Sequence, residues 1–402
     1  MRPVHRSLVS TLGFALALVS AGAAAAQTPN IRVAGRVQTQ FVATDGDSTS
    51  GYRPDLVASS GFDIRRLRIQ ADVRIGENVN MVLQPSFEMG ALRLRDAYLR
   101  VAVARTATTQ LGVTLGQEKR PFSRYELNTS NNLPSIERGA RFRGFTSAQS
   151  SVAAQNNLLD YNNYIAHDIG ANADLSLAGG RYVFKAGVYN GSGESAQDVN
   201  SAKSYGLRAI GTLIQDEAAR PVLRVGGSVF SRDRAVCNTC TGTVTFFPDS
   251  SHRSTAFGLD AEWGDYRPGL HLLGDFAMGE HLDPAYAVSG APRNSGNVRP
   301  DIGDSAYTTF ASIQLVAAWR WQLDDPAGNR LFKILEPALR LDITDVDVDT
   351  GDNGSMLITP ALNLYFSQTT ILRIGYDLYR YHDANAAQQT VTGLRVSWQA
   401  NF

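Results

Sequence analysis

Period-two alternation of apolar and polar residues runs through segment after segment of this chain, and few folds tolerate it. In 31–41, Ile31, Val33, Val37 and Phe41 share one parity while Arg32, Arg36, Gln38 and Gln40 hold the other. In 63–75, Leu67, Ile69, Val73 and Ile75 oppose Arg66, Arg68, Gln70, Asp72 and Arg74. Successive side chains of a strand point to opposite faces, so each such segment has one apolar and one wet face. Beyond the N-terminal apolar run, no stretch is long and apolar enough for a membrane helix. The pattern predicts an all-β fold, a transmembrane antiparallel β-barrel.

About sixteen segments carry the pattern, separated by Gly, Pro, Asn and Asp clusters. They are 31–41, 63–75, 78–89, 92–102, 108–117, 165–177, 182–190 and 205–214. The series continues with 222–231, 256–264, 269–279, 309–322, 332–342, 356–366, 371–381 and 391–402. Connections alternate short and long: 76–77, 178–181 and 367–370 are tight, whereas 45–62, 116–163, 232–255 and 281–308 are long. That asymmetry, with an even strand count, suits short periplasmic turns and long outer loops. A soluble sandwich explains neither the strand number nor the phase of the loops. Trp263, Tyr266, Trp319, Trp321, Tyr365, Phe366, Tyr379, Tyr381 and Trp398, near strand ends, are expected in interfacial girdles. The last strand alternates Leu394, Val396, Trp398 and Phe402 against Arg395, Ser397 and Gln399. A terminal Phe closing an amphipathic strand resembles the signal by which outer-membrane proteins are recognised for assembly.

Residues 1–26 read as a cleaved secretory signal, with Arg2, His5 and Arg6 before an apolar run and Ala24-Ala25-Ala26 at the expected cleavage site. The barrel then occupies 27–402. The 38 basic and 38 acidic residues of the chain balance, which gives nucleic-acid binding no compositional support. Cys237 and Cys240 are the two cysteines. In an exported chain, without a thioredoxin-like βαβ context or a second ligand pair, they are expected to form a disulfide staple.

Several short stretches resemble the phosphate-selective porin O and P family. Phe62-Asp63-Ile64-Arg65-Arg66-Leu67-Arg68 is similar to its basic early strand and Leu94-Arg95-Asp96-Ala97-Tyr98-Leu99 to its fourth strand. Gly116-Gln117-Glu118-Lys119-Arg120-Pro121-Phe122-Ser123 is similar to the start of its long inward loop, with Ile136-Glu137-Arg138 further along. The resemblance implies a sixteen-stranded, trimeric channel in the Gram-negative outer membrane, surrounded by lipid and lipopolysaccharide, whose third loop folds inward. It leaves the solute open.

The segment 116–163 is the longest without alternation, and long connections inside ordered arrays are functional or disordered. With the resemblance, it is the expected constriction, and Lys119, Arg120, Arg124, Arg138, Arg141 and Arg143 its solute-contacting residues, because Arg offers a fixed fork of donors to phosphate or carboxylate. By parity a basic wall comprises Arg32, Arg36, Arg66, Arg68 and Arg74, joined on closure by Arg373 and Arg395. An acidic wall of Asp260, Glu262 and Asp275 lies about half a circumference away, so that a transverse field across the lumen is expected. His167, His252, His271, His281 and His382 have no metal-ligand spacing, and Gly191-Ser192-Gly193-Glu194-Ser195 is not a nucleophile elbow. No cofactor, metal or catalytic residue is implied. The expected activity is passive diffusion of small hydrophilic solutes with a tilt toward anions such as phosphate. The alternatives are an outer-membrane barrel hydrolase acting on lipid and a structural barrel with a plugged lumen.

Overall fold

The computed structural model describes residues 28–46, 60–143, 152–196, 198, 202–239, 245–264, 268–282, 307–324, 328, 330–351, 353–382 and 388–402, with the side chains of 234–239 and 245–251 excepted. Sixteen antiparallel strands close into one barrel, each paired with its sequence neighbours and the first with the last. The strands are β1 (Asn30–Gly46), β2 (Ser60–Ile75), β3 (Val79–Glu88), β4 (Ala91–Arg105), β5 (Gln110–Lys119), β6 (His167–Leu177), β7 (Tyr182–Tyr189) and β8 (Ser204–Gln215). The second half comprises β9 (Pro221–Thr239), β10 (Thr245–Trp263), β11 (Gly269–Leu282), β12 (Tyr307–Gln322), β13 (Ile334–Asp345), β14 (Gly354–Tyr365), β15 (Thr370–His382) and β16 (Gln388–Asn401). Among the described residues, two short helices, α1 (Arg124–Leu127) and α2 (Gln155–Tyr161), interrupt the connection between β5 and β6. A closed sheet leaves no backbone edge facing lipid, which is why strands can span a bilayer only in this form.

The alternation has the expected consequence. Leu394 and Trp398 are exposed on the outer face of β16, while Arg395, Ser397 and Gln399 are buried on its inner face. Trp263, Trp319, Trp321 and Trp398 stand outward as expected. Tyr365, Tyr379 and Tyr381 do not: all three are buried. Tyr379 and Tyr381 share the inward parity of Arg373 and Asp377 on β15, and each stacks on a neighbour, Phe142 against Tyr379 and Tyr379 against Tyr381. Much of 232–255, expected as a loop, is strand instead. There β9 and β10 continue as a hairpin, with Arg232 opposite Ser254 and Arg234 opposite His252. Backbone pairing beyond an apolar layer requires no alternation, so this extension left no mark in the pattern. Cys240 and the side chain of Cys237 lie outside the described residues, as does the N-terminal 1–26.

The seam between β1 and β16 is closed by the last residue. Phe402 N donates to Gly35 O at 3.0 Å and Gly35 N to Phe402 O at 2.8 Å. The Phe402 ring covers Gly35 so closely that a Cβ there would sit 2.2 Å from the ring. A side chain at position 35 therefore fits only if the ring moves. Gly35→Val is expected to swing the ring away and cost about 1 kcal/mol of barrel stability. Phe402→Ala is expected to cost the same, and the double variant no more than either. Urea unfolding in detergent, followed by heat-modifiable gel migration, checks this, and additive losses would contradict it.

Candidate functional site

Two β-bulges on the inner wall concentrate arginine at one level. Between Gln38↔Arg66 and Thr39↔Ile64 the β1–β2 register shifts, leaving Arg65 as the extra residue of β2. Between Leu83↔Ala97 and Pro85↔Leu94 the β3–β4 register shifts in the same sense, with Arg95 and Asp96 opposite the short side. A bulge turns two successive side chains toward one face. Arg65 and Arg66 are accordingly both buried inside. The basic side chains gathered here pair with Glu88 and Glu137, and Arg95 also with Glu194. Glu88 lies 2.5 Å from Arg95 Nη2 and 3.6 Å from Arg65 Nη1, and also pairs with Arg68. Glu137 accepts from Arg65 Nε at 2.6 Å and Arg65 Nη2 at 2.9 Å, and from Arg66 Nη2 at 2.7 Å.

Arg65 and Arg95 were missing from the residues expected in the lumen, although the sequence carried a signal for both. Outward apolar residues run Phe62, Ile64 and then Leu67, Ile69, and likewise Leu92, Leu94 and then Ala97, Leu99. Parity flips once in each strand, within the stretches that resemble the family.

The segment 120–163 hydrogen-bonds to inward-facing side chains around much of the circumference. Ser123 Oγ and Tyr125 N donate to Asp275 of β11 at 2.7 and 3.2 Å. Arg373 of β15 donates to Asn131 O at 2.5 Å, Asn363 of β14 to Pro134 O at 2.8 Å, and Arg340 of β13 to Glu137 O at 2.7 Å. Arg395 of β16 reaches Arg141 O at 2.8 Å. Helix α2 is fixed where Gln155 N donates to Asp342 of β13 at 3.1 Å and Gln155 Nε2 to Asp275 at 2.9 Å. Phe122 and Leu158 of this segment, with Tyr164 directly after it, pack with Phe230 and Phe310 of the wall.

Each expected solute-contacting residue has a definite environment. Lys119 pairs with Glu126 at 2.9 Å and Arg138 with the same carboxylate at 3.2 Å. Arg124 pairs with Glu262 at 2.7 Å and Arg143 with Asp63 at 2.8 Å. Arg120 does not fit the expectation, because it is fully buried, donating to Asp168, Asn163 O and Ile165 O. Arg141 is the most open: its side chain is 55% exposed, and its partner Glu137 stands 3.8 Å away. The guanidinium of Arg65 beside it lowers its pKa to about 10, which leaves it charged at neutral pH.

The walls differ from expectation in two respects. Arg36, Arg66, Arg373 and Arg395 are buried on the inner face, with Arg68 beside them, but Arg32 and Arg74 are exposed near the strand ends. The acidic wall is not bare. Asp260 pairs with Arg208 at 2.7 Å, Glu262 with Arg124 and Arg224, and Asp275 takes the donors of Ser123, Tyr125 and Gln155. Asp260 and Glu262 are thus matched by arginines, whereas Asp275 is held by uncharged donors alone.

Burial alone would raise the pKa of Glu126, but Arg138 and Lys119 outweigh it and hold the group at about 2, down from 4.5. A carboxylate with a depressed folded pKa stabilises the docked segment above its unfolded value and loses that contribution as pH falls through the folded one. The segment is expected to stay docked from pH 7 to about pH 4.5 and to loosen only as pH approaches about 2. Open-channel current noise recorded at pH 7, 4.5 and 2.5 tests this, and loosening between pH 7 and 5 would contradict it.

A sequence model described as phosphate-selective porin O and P matches residues 31–234. No curated protein matches the sequence. Among solved structures, the anion-selective porin from Comamonas acidovorans is 13% identical with a TM-score of 0.56, covering 93% of this chain and 100% of its own. The outer-membrane channel DcaP of Acinetobacter baumannii is 10% identical with a TM-score of 0.56, over 93% of this chain and 97% of its own. Salmonella typhi OmpF, solved with daunomycin, is 10% identical with a TM-score of 0.51, over 92% and 97%. At such identities the structures speak for the sixteen-stranded fold, whereas the sequence match spans half the chain, including both bulged strands and the start of the long connection. The protein is an outer-membrane β-barrel of Gram-negative bacteria, and it belongs to the phosphate-selective porin O and P family.

Proposed function

We propose that this porin forms a water-filled channel for passive diffusion of small hydrophilic solutes, that the segment 116–163 folds into the lumen as its constriction, and that the channel prefers anions such as phosphate. One observation carries the preference. Around Glu88, Asp96, Glu126, Glu137 and Glu194, the cations Arg36, Arg65, Arg66, Arg68, Arg95, Lys119, Arg138 and Arg141 still outnumber the carboxylates, and Arg141 is open to solvent. A surplus of fixed guanidinium in a narrow aqueous passage raises the local anion concentration and excludes cations. The channel is read as non-enzymatic, and as a homotrimer in lipid and lipopolysaccharide.

Reversal potentials in a potassium chloride gradient test the reading. The native channel is expected to favour chloride, and Arg65→Ala/Arg66→Ala/Arg141→Ala to lose most of that preference. Cation preference in the native channel refutes it. The buried packing of Phe122, Leu158 and Tyr164 against the wall also favours, more weakly, a structural barrel with its lumen filled. Absence of stepwise conductance from heat-modifiable protein would support that second reading.

A further inference from the structure

The connection between β7 and β8 brings a carboxylate to the arginine cluster from an element other than the long segment. Its course is set by three positive φ angles within five residues: Gly191 at 82°, Gly193 at 87° and Ser195 at 54°. Gly191 N and Gly193 N donate to Asp168 at 2.9 and 3.2 Å, and Ser195 N donates to Gln117 Oε1 at 2.6 Å. Glu194, held on both sides, is thereby aimed at β4. Its Oε2 lies 2.9 Å from Arg95 Nη1 and 3.8 Å from Arg93 Nη1.

This carboxylate is poorly satisfied. Glu194 Oε1 is buried without a hydrogen-bond partner among the described residues, and so is Arg95 Nε. Glu137, in contrast, uses both oxygens on Arg65 and Arg66. Arg93 is 52% exposed and accessible to solute. A buried acceptor without a donor costs the full desolvation of that atom. An untethered oxyanion could distribute its oxygens over both guanidinium groups, which a single oxygen of Glu194 does not.

We infer that Arg93 and Arg95 form a binding station for solute oxyanions, carboxylate or phosphate in class, and that Glu194 is its resident competitor, setting the affinity of the station. This rests on the anion-conducting reading above and specifies it. A tethered carboxylate at the station keeps the pair of guanidinium groups from holding a passing anion too tightly. Permeation requires such weak binding, since a solute must leave as readily as it enters.

The test is block of chloride current by added inorganic phosphate in planar bilayers. In Glu194→Gln the competing charge is gone, and the half-blocking phosphate concentration is expected to fall by about fivefold. In Arg93→Ala it is expected to rise by about threefold, with single-channel chloride conductance reduced. Arg93 is half-exposed, so that variant provides a readout even if Glu194→Gln fails to assemble. An anion-selective native channel whose half-blocking concentration stays within twofold of native in Arg93→Ala, or in an assembled Glu194→Gln, overturns the station and leaves the channel reading standing. A native channel that selects cations overturns both.

Discussion

Asp168→Asn is expected to release the long segment from the wall while leaving the barrel closed. Asp168 and Arg120 are both fully buried, and the carboxylate accepts from Arg120 Nε at 3.1 Å and Arg120 Nη2 at 2.7 Å. It also accepts from the backbone N–H groups of Ile169, Gly191 and Gly193. An amide in its place offers one oxygen where two were used and turns an NH2 group toward donors. It also leaves the Arg120 guanidinium buried without a counter-ion. Breaking one side of a buried ion pair costs about 3–5 kcal/mol, more than the pair as a whole contributes. Here the loss falls on contacts joining the segment to β6, because the ladder hydrogen bonds of β5 and β6 do not involve these side chains. Limited trypsin digestion is expected to cut after Lys119 or Arg124 at least tenfold faster than in the native protein, with heat-modifiable migration retained. Arg120→Lys is not expected to rescue, since Arg120 Nη1 also donates to Asn163 O at 2.6 Å and Ile165 O at 2.8 Å, a reach one ammonium does not reproduce. Native digestion rates in Asp168→Asn would contradict the assigned role.

The order of the strands was legible because a bilayer imposes one rule on each of them: an apolar outer face and a wet inner one. Leu67, Ile69 and Val73 announce β2 without knowledge of any partner. Features that depend on two distant segments were not legible. Arg124 meets Glu262, Arg95 meets Glu194, and Asp275 meets Gln155 only because the chain returns across the barrel, and parity carries no information about such returns. The acidic wall of Asp260, Glu262 and Asp275 was therefore named without its partners from the long segment. The bulges were legible in principle, since the phase of the apolar residues slips between Ile64 and Leu67 and between Leu94 and Ala97. Treating each strand as strictly periodic hid Arg65 and Arg95, which are central to the cluster. Assigning Tyr379 and Tyr381 to an outer girdle was avoidable, because Arg373 and Asp377 on the same parity already faced inward.

Glu137→Gln is the second substitution with a large expected effect, and it separates the structural work of the cluster from its attraction for anions. Burial opposes ionisation of Glu137, but Arg65 and Arg66 hold its pKa well below the usual carboxylate range. One carboxylate thus compensates two buried guanidinium groups, with Arg141 at 3.8 Å as a third neighbour. Removing its charge leaves like charges facing each other in a site of low water content, where their repulsion is weakly screened. Docking of the segment is expected to weaken by about 3–5 kcal/mol, and chloride preference to rise, since the site gains net positive charge. Arg66→Met alone is expected to weaken docking by less, because Arg65 still pairs with Glu137 at 2.6 Å. The double variant Arg66→Met/Glu137→Gln removes one charge of each sign and is expected to recover at least about 1.5 kcal/mol relative to the sum of the two single variants. Urea-dependent trypsin cleavage at Arg141 measures the docking term, and reversal potentials measure the selectivity term. Strict additivity in the first, or a fall in chloride preference in Glu137→Gln, would show that Glu137 is not the counter-ion on which Arg65 and Arg66 depend.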